Sequence, residues 1–192
     1  MSQYLKTHVH KWTYLRENIE RSNSSQQTAG NFRISTGILK PRHVFVFIIN
    51  DGNINAQTAN PFLYNTFSVS TDPRTLSNYH LEVANGNEYP EIHYAPTTDM
   101  TRVFRDVLKY THKNNEYGKG SLLNRANFGT LFPFLYFDLP KQKMDIKHGT
   151  TKLTFKYELS GTTAAPYSVY ALTVYEQDVE LIQKDGEILL RS

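Results

Sequence analysis

The chain has 192 residues, enough for one domain with a substantial core, and its net charge at pH 7 is only +3. Aromatic residues make up 13% of it and charged residues 20%, a composition that favours β-strands and argues against a disordered chain or a coiled coil. The absence of cysteine excludes a disulfide framework, a thiolate metal site and a cysteine nucleophile.

The sequence also gives no support for two kinds of partner, nucleic acid and a membrane. Basic residues form no run or stripe, so nothing indicates specific nucleic-acid binding. No apolar run reaches the roughly 18 residues of a membrane span, and the N-terminus lacks the apolar core of a signal peptide. We therefore expect a soluble chain with no membrane span and no classical secretion signal.

The first quarter of the chain mixes strand-forming and polar segments. Residues 4–14 carry β-forming residues and predict a strand, whereas the polar segment 16–30 predicts a loop. A short strand is predicted at 32–38, and Lys40-Pro41 ends it. Residues 43–50 are a continuous apolar run, which is typical of a buried strand.

The next segments show aromatic alternation and one strong turn signal. Residues 62–70 alternate aromatic and polar side chains and predict a strand, as do residues 79–84. Asn85-Gly86 is the strongest hairpin signal in the chain. The returning arm, 88–92, contains Pro90, which cannot donate a ladder hydrogen bond and therefore predicts an edge strand.

Residues 98–111 form the one segment with a helical period. Its apolar residues recur at i, i+3, i+4, i+7 and i+8, and make one stripe: Met100, Val103, Phe104, Val107 and Leu108. Thr97 or Thr98 can cap this helix, and Asp99 suits the positive end of its dipole. The glycine-containing segment 114–127 predicts an exposed loop.

The last third carries the clearest strand signals. Residues 130–139 are nearly all apolar or aromatic, which predicts a strand buried on both faces or one at the centre of a sandwich. Residues 151–159 alternate strictly, so one face is buried and the other wet. A long strand is predicted at 166–179, and a hairpin-like ending at 179–190 around Asp185-Gly186.

These elements predict one all-β domain over residues 1–192. Eight or nine strands separated by turn signals indicate an antiparallel jelly-roll β-sandwich, with one short amphipathic helix (98–111) lying across a loop end. No repeat of fixed period and no linker divides the chain.

A series of short motifs is the most informative feature beyond this pattern. In chain order they are Gly37-Ile38-Leu39-Lys40-Pro41-Arg42, Asn60-Pro61-Phe62, the Asn85-Gly86 turn with Pro90, the helix with its arginine-rich outer face, Gly129-Thr130-Leu131-Phe132, Phe137-Asp138-Leu139, Gly149 with Lys152-Leu153-Thr154-Phe155, Val169 to Tyr175, and Glu180-Leu181-Ile182. Over about residues 32–190 this series resembles the second, C-terminal jelly roll of the hexon-like double-jelly-roll major capsid proteins of Polinton/Maverick elements, adintoviruses and virophages. Members of that family usually carry two rolls in one chain, and 192 residues hold one. An excised second roll, a remnant and a single-roll relative all stay open.

The resemblance implies a structural role and a set of partners. The roll would stand upright in a capsid shell and pack with others into a pseudo-hexagonal trimer. Its partners would be copies of itself and other capsid proteins, such as a penton, and its location the virion after a soluble stage in the host cell. No catalytic residues come with these capsid proteins, so we expect no enzyme activity, no catalytic residues and no cofactor.

Histidines are the main candidates for a metal site. His8 and His10 share one face of the predicted first strand, but Glu17 is too distant in sequence to complete a cupin-like set. The other histidines are scattered at strand ends and loops: His43, His80, His93, His112 and His148. We expect no bound transition metal, because these histidines lack a third convergent ligand.

Other chemistry-bearing groups give weak signals. No G-x-S-x-G elbow occurs, and Gly118-Lys119-Gly120-Ser121 has the wrong spacing for a phosphate loop. Glu88 and Glu91 flank Pro90 on an edge, where a solvated or interface role is expected, and Asp138 suits the capping of a turn. The aromatic residues Phe132, Phe134, Tyr136 and Phe137 are expected in the core, although a ligand platform is the alternative reading.

Two functions from different classes remain. The first is the capsid building block, and the second is a jelly-roll module that binds carbohydrate or protein, with a cupin-type metal enzyme a distant third. A lectin-like site needs an exposed Trp or Tyr beside paired Asp or Asn, and the only tryptophan is Trp12, in the first strand. Aromatics favour interface cores, so we expect Tyr167, Tyr170 and Tyr175 to supply surface for assembly, and the segments 16–30 and 112–128 to reach a neighbour.

Overall fold

The computed structural model describes residues 9–34, 40–51, 75–83, 87–93, 95–114, 123–131, 133–139, 152–160, 166–184 and 187–191. Within these ranges the chain forms nine strands and two helices. In order they are β1 (Val9–Arg21), β2 (Ala29–Ile34), β3 (Pro41–Asn50), β4 (Thr75–Val83), β5 (Asn87–Tyr89), α1 (Met100–Asn114), α2 (Arg125–Leu131), β6 (Phe134–Asp138), β7 (Leu153–Ser160), β8 (Tyr167–Lys184) and β9 (Glu187–Arg191). The strand predicted at 62–70 lies outside the described residues. Neither described helix is long and apolar enough to cross a membrane.

The strands form two antiparallel sheets. The first sheet has the order β1-β8-β3-β6, with β9 also paired to β8, and the second has the order β2-β7-β4-β5. The pairs are nested, because β1 pairs with β8, β2 with β7, β3 with β6 and β4 with β5. A long hairpin rolled up on itself gives this order, so the predicted all-β jelly-roll sandwich is confirmed.

Strict alternation builds the inner face of the second sheet. Along β7 the inward side chains Leu153, Phe155, Tyr157 and Leu159 are buried, while their neighbours in sequence are half-buried or exposed. Leu81 of β4 is paired with Phe155 and is fully buried on the same face. The period of two that predicted this strand is therefore confirmed.

The inner face of the first sheet completes the core. Val44, Val46 and Ile48 of β3 are buried there, and Val44 is paired with Phe137 of β6. The Phe137 ring meets Phe155 of the opposite sheet edge-to-face, with centroids 6.2 Å apart. Aromatic pairs of this kind add to the stability that area burial supplies.

The outer face of the first sheet is also buried where β3 and β6 lie. Tyr110 of α1 contacts Phe45 and Tyr136 there, with ring centroids 4.9 and 5.3 Å apart. Strand β6 is therefore buried on both faces, as predicted, but it lies at the end of the described sheet rather than at its centre. The helix packs against this face and not across a loop end, because the outward aromatic side chains of β3 and β6 need a cover.

Helix α1 keeps the predicted stripe, with Val103, Phe104 and Val107 buried. It begins after Asp99, whose carbonyl oxygen accepts hydrogen bonds from the N–H groups of Arg102 and Val103 at 3.0 and 3.4 Å. Asp99 therefore stands at the cap, in place of Thr97 or Thr98. The hydroxyl of Thr98 instead donates to the Ala95 carbonyl at 3.1 Å, inside the preceding turn.

The loop predicted at 16–30 is confirmed only for residues 22–28 and is wrong at both ends. Strand β1 continues to Arg21, and β2 begins at Ala29. Pairing with β8 stabilises this polar half of β1, since the Arg21 guanidinium donates to the Ser168 hydroxyl at 3.1 Å and lies over the Tyr170 ring. A strand with much exposed surface on both faces carries no alternation that the sequence could show.

The second correction concerns α2. It occupies Arg125–Leu131, where a loop and then the start of a strand were predicted. Phe128 explains the helix, because its buried ring packs on Phe104 at 5.3 Å and on Phe134 at 5.4 Å. The Asn124 side chain accepts a hydrogen bond from the Ala126 N–H at 2.9 Å, which is N-cap geometry.

Both predicted hairpins have paired arms. Val83 pairs with Asn87 across the first turn, and Lys184 pairs with Glu187 across the second. The turn residues themselves lie outside the described ranges. Strand β5 is three residues long and ends the second sheet, as Pro90 predicted.

Candidate functional site

Strand β1 carries most of the large apolar side chains that the described structure exposes. The exposed fractions are 52% for Trp12, 44% for Tyr14, 59% for Leu15 and 68% for Ile19. Because side chains alternate along a strand, Trp12 and Tyr14 lie on one face and Leu15 and Ile19 on the other. Among the described strands β1 has a neighbour on one side only, so it is an edge strand that exposes apolar side chains on both faces.

The pairing register links Ile19 to the buried part of the first sheet. Tyr136, Phe45, Leu172 and Ile19 are successive cross-strand partners on the outer face. Tyr136 and Phe45 are buried beneath α1, Leu172 is half-buried, and Ile19 is exposed. This row of apolar side chains is therefore covered by α1 at Tyr136 and Phe45 and is exposed at its other end, at Ile19 of β1.

The aromatic face of β1 lies on an extension of the first sheet. In β8, buried side chains end at Val174, and those described from Tyr175 to Leu181 are half-buried or exposed. This later half of β8 pairs with the beginning of β1 and with β9. Trp12 is opposite Val179 and Tyr14 opposite Gln177, so both lie outside the tightly packed core.

Polar contacts hold the register of this extension. Lys11 and Glu180, which are directly opposite, form an ion pair at 2.5 Å, and the Thr13 hydroxyl donates to Asp178 at 2.7 Å. Hydrogen bonds from Lys40 and from Thr13 lower the pKa of Asp178. The hydrogen bond to Glu180 raises the pKa of Lys11. These exposed pairs favour one register more than they add stability.

The outer face of the second sheet is polar and holds a cluster of two histidines and a carboxylate. His80 lies on β4, Glu88 on β5, and His93 follows β5. Glu88 Oε1 is 3.5 Å from His80 Nε2, and Glu88 Oε2 is 3.0 Å from His93 Nε2. The two imidazole rings are stacked, with centroids 4.4 Å apart and planes at 7°.

His80 is the most enclosed member of this cluster, with 12% of its side chain exposed. Neither of its buried ring nitrogens has a hydrogen-bond partner among the described residues. Burial lowers the pKa of His80, and the neighbouring Glu88 carboxylate opposes that shift. The imidazole is therefore held in its neutral form, which is the form that can coordinate a metal.

The charges beside the cluster are already paired. Lys156 of β7 lies opposite His80 and forms an ion pair with Glu82 at 2.5 Å. Its hydrogen bond lowers the pKa of Glu82, and the same contact raises the pKa of Lys156. Among the described residues, Glu88 has a charged or ionisable group within 4 Å only in the two histidines.

A polar groove of about 340 Å³ adjoins this cluster on the same face. It is lined by Gln27, Ala29, Gly30, Asn31, Asn78, His80, Lys156, Tyr157 and Glu158. Its one aromatic lining residue, Tyr157, is a buried core side chain, and Trp12 lies on the other sheet. Among the described lining residues, the groove therefore has no exposed aromatic platform of the kind expected of a lectin-like site.

The other residues singled out in the sequence lie either outside the described residues or apart from this cluster. His8 and the Gly118–Ser121 segment lie outside the described residues, as does Phe132. Glu17 is exposed on β1, and Glu91 is exposed beyond β5. Asp138 ends β6 as a buried residue, with a carboxylate oxygen 3.9 Å from His43 Nδ1.

The predictions for the aromatic residues are confirmed in one part of the chain and wrong in another. Tyr136 and Phe137 are buried and Phe134 is partly buried, which confirms the core reading of that run. Burial also raises the pKa of Tyr136. Tyr167 was expected on a surface and is fully buried instead, and its hydroxyl donates to the Gln27 carbonyl at 2.7 Å.

The histidine–glutamate cluster is what the sequence reasoning missed. The histidines were expected to lack a third convergent ligand, and the structure brings His80, Glu88 and His93 together, with one ligand atom of each within 4.8 Å of the others. The sequence did contain a signal for this cluster. The hairpin at Asn85-Gly86 pairs Glu82 with Glu88, and His80, two residues before Glu82 on the same strand, lies on the same outer face.

Comparisons with known proteins find similar solved structures but no sequence family. The sequence matches no protein-family model and no curated protein. A chain in the cryo-EM structure of the Sputnik virophage is similar over 95% of this chain, with 13% sequence identity and a TM-score of 0.43. The alignment spans 38% of that virophage chain.

Proposed function

We propose that this chain is a structural subunit of a viral or virus-derived capsid shell, without enzyme activity. In this role it assembles with copies of itself, as a trimer in the hexon-like arrangement, and contacts other capsid proteins such as a penton. The finished assembly is a virion, and the subunit is soluble before it assembles. The observation that carries the proposal is the apolar surface on both faces of the edge strand β1.

That surface has the composition of a contact region. Trp12 and Tyr14 on one face and Leu15 and Ile19 on the other are each more than two-fifths exposed. Aromatic residues are enriched in interface cores, and apolar patches of contiguous residues mark sites of association. An edge strand with unprotected apolar faces also pairs readily with another chain.

The polar residues of β1 are consistent with the rim of such an interface. Lys11, Arg16 and Glu17 are exposed among the apolar side chains. Arg16 donates to Gln177 at 2.9 Å, so its charge is already oriented along the sheet. The jelly-roll topology and the motif series that resembles the hexon-like capsid proteins supply the capsid part of the proposal.

The test measures assembly. We expect concentration-dependent oligomers by light scattering, and capsid-like particles by electron microscopy after co-expression with a penton protein. Ile19→Lys should reduce the association constant at least roughly tenfold, since it places a charge in an interface core. Asn31→Lys adds the same charge to an exposed position on β2 of the other sheet and should leave assembly unchanged.

Two results would contradict the proposal. The first is a strict monomer at high concentration that forms no particle with the penton protein. The second is an oligomer that Ile19→Lys and Asn31→Lys affect equally, because β1 would then not be the contact surface.

A further inference from the structure

We propose that His80, Glu88 and His93 form a binding site for one divalent first-row transition ion, with Zn²⁺ as the preferred ion. The site lies on the outer face of the second sheet, at its β4–β5 edge. It is separate from β1 and does not depend on the assembly proposed above.

The donor set fits this class of ion. Two imidazoles and one carboxylate are a recurrent set for zinc, with a fourth position open to water. The same donors suit calcium and magnesium poorly, because those ions prefer oxygen ligands. Glu88 is available as a ligand, since its close contacts among the described residues are with the two imidazoles and not with a lysine or arginine.

The distances need only a small adjustment. A tetrahedral ion with bonds of about 2.0–2.1 Å separates its ligand atoms by roughly 3.3 Å. The separations from Glu88 are 3.5 Å to His80 Nε2 and 3.0 Å to His93 Nε2, already close to that value. The ligand atoms of the two histidines lie within 4.8 Å of each other, so the stacked rings must tilt until both nitrogens face one point. His93, with 31% of its side chain exposed, is the freer ring to rotate.

The enclosure of His80 gives an independent reason to expect an ion. Both of its ring nitrogens are buried without a hydrogen-bond partner in the described part of the chain. A buried polar atom left without a partner is destabilising, so native proteins rarely keep one without a purpose. Coordination of Nε2 would satisfy one of the two nitrogens.

An ion here would join three parts of one sheet edge. His80 belongs to β4, Glu88 to the three-residue strand β5, and His93 to the segment that follows it. So short an edge strand has few ladder hydrogen bonds to hold it. A shared ion would fix β5 and the following segment against β4, and we therefore assign it a structural role.

The test uses the full chain without a histidine tag, because the chain has seven histidines that could bind zinc weakly. Zn²⁺ is titrated by calorimetry, and the metal content after dialysis is measured by mass spectrometry. We expect one Zn²⁺ per chain, a melting temperature that rises with Zn²⁺ and falls back with a chelator, and no effect of Ca²⁺.

Three variants assign the ligands. His80→Leu, Glu88→Gln and His93→Ala should each weaken binding by more than the roughly 10–100-fold that loss of an outer-shell partner costs. Glu91→Gln is the matched control for Glu88→Gln, since Glu91 is a nearby exposed carboxylate outside the cluster. Glu91→Gln should bind Zn²⁺ as the parent does.

His80→Leu also separates metal binding from packing. In chelator it should be at least as stable as the parent, because it removes two unpartnered nitrogens, yet Zn²⁺ should no longer stabilise it. If this variant fails to fold, the exposed positions 88 and 93 still decide the question. Absence of saturable binding, or binding that Glu88→Gln and His93→Ala leave unchanged, overturns the proposal.

Discussion

The two outer faces of the sandwich differ in polarity: that of the first sheet is largely apolar, and that of the second is polar. On the first sheet, aromatic side chains of β3 and β6 lie under α1, and the same apolar row runs out uncovered to Ile19 on β1. On the second sheet, the outward positions are polar, and an ion pair and the histidine–glutamate cluster occupy them.

The contrast shows that a jelly roll's inner faces fix its fold while its outer faces are free to specialise. Both inner faces carry the same kind of apolar alternation. The first sheet adds a second apolar layer outside, which a helix covers at one edge and nothing within the described residues covers at the other. The outer face of the second sheet is exposed to solvent, and its burial pattern is the ordinary one for an antiparallel sheet with one solvated face.

The largest test of this contrast lies within the outer row of the first sheet. Phe45→Ala should lower the free energy of unfolding by about 3–5 kcal/mol, because Phe45 is buried among Tyr110, Tyr136 and Phe134. Ile19→Ala, in the same row, should change it by less than about 0.5 kcal/mol in the monomer. Urea unfolding of dilute protein measures both, and similar losses would show that the row is not divided into covered and uncovered parts.

A second test compares the two faces of the second sheet at β2. Gly30 is opposite Tyr157 on the inner face, and a Cβ added there would lie 2.6 Å from Tyr157 Cζ. Gly30→Ala must therefore displace a buried ring whose hydroxyl is hydrogen-bonded to that of Tyr167, and should cost about 1–3 kcal/mol.

The control for this test is the adjacent outer position. Ala29→Ser changes a side chain of similar size on the exposed face of β2 and should be nearly neutral. Thermal unfolding of both variants makes the comparison. A neutral Gly30→Ala would mean that the Tyr157 ring has room to move, and that the inner face is looser than described.

The smallest expected effect concerns the exposed charges of the β1–β8 extension. Hydrogen bonds from Lys40 and Thr13 hold the pKa of Asp178 below its ordinary value of 3.8, so its ionised form favours the folded state. That contribution is complete above the unfolded pKa and is lost as the pH falls through the lower, folded value.

Asp178→Asn should therefore be slightly less stable than the parent at neutral pH and equally stable in strong acid. Urea midpoints across the acid range check this, with Glu158→Gln on the second sheet as the comparison. A difference that persists at the lowest pH would point to lost packing and not to lost charge.

The sequence predicted those elements whose signal is local. The alternation of Leu153, Phe155 and Tyr157, the apolar run that became β3 and the stripe of α1 each reflect burial that a short window of residues shows. The Asn85-Gly86 hairpin and the edge position of β5 were predictable for the same reason, because turn chemistry and Pro90 act on their neighbours.

What the sequence did not predict depends on partners far along the chain. The second half of β1 is polar and becomes a strand because β8 pairs with it. Phe128 makes α2 a helix through contacts with Phe104 and Phe134. His80 meets Glu88 and His93 only after the hairpin forms and the segment beyond Pro90 turns back, so scanning for ligand spacing did not find the cluster.

The nested pairing of the strands also governs how the chain must fold. Thr13 and Asp178, which are bonded across the outermost pair, are 165 positions apart, whereas β4 and β5 are joined by a short turn. Loop-closure entropy makes such distant contacts slow to form, so folding should proceed from the inner hairpin outward. It should take roughly milliseconds to seconds, as in other domains of high contact order. Pulsed hydrogen exchange during refolding should protect β4 before β1. Until β8 arrives, β1 is a long strand without a partner that exposes Trp12, Leu15 and Ile19, and a high concentration of newly made chains would then favour wrong pairings over correct closure.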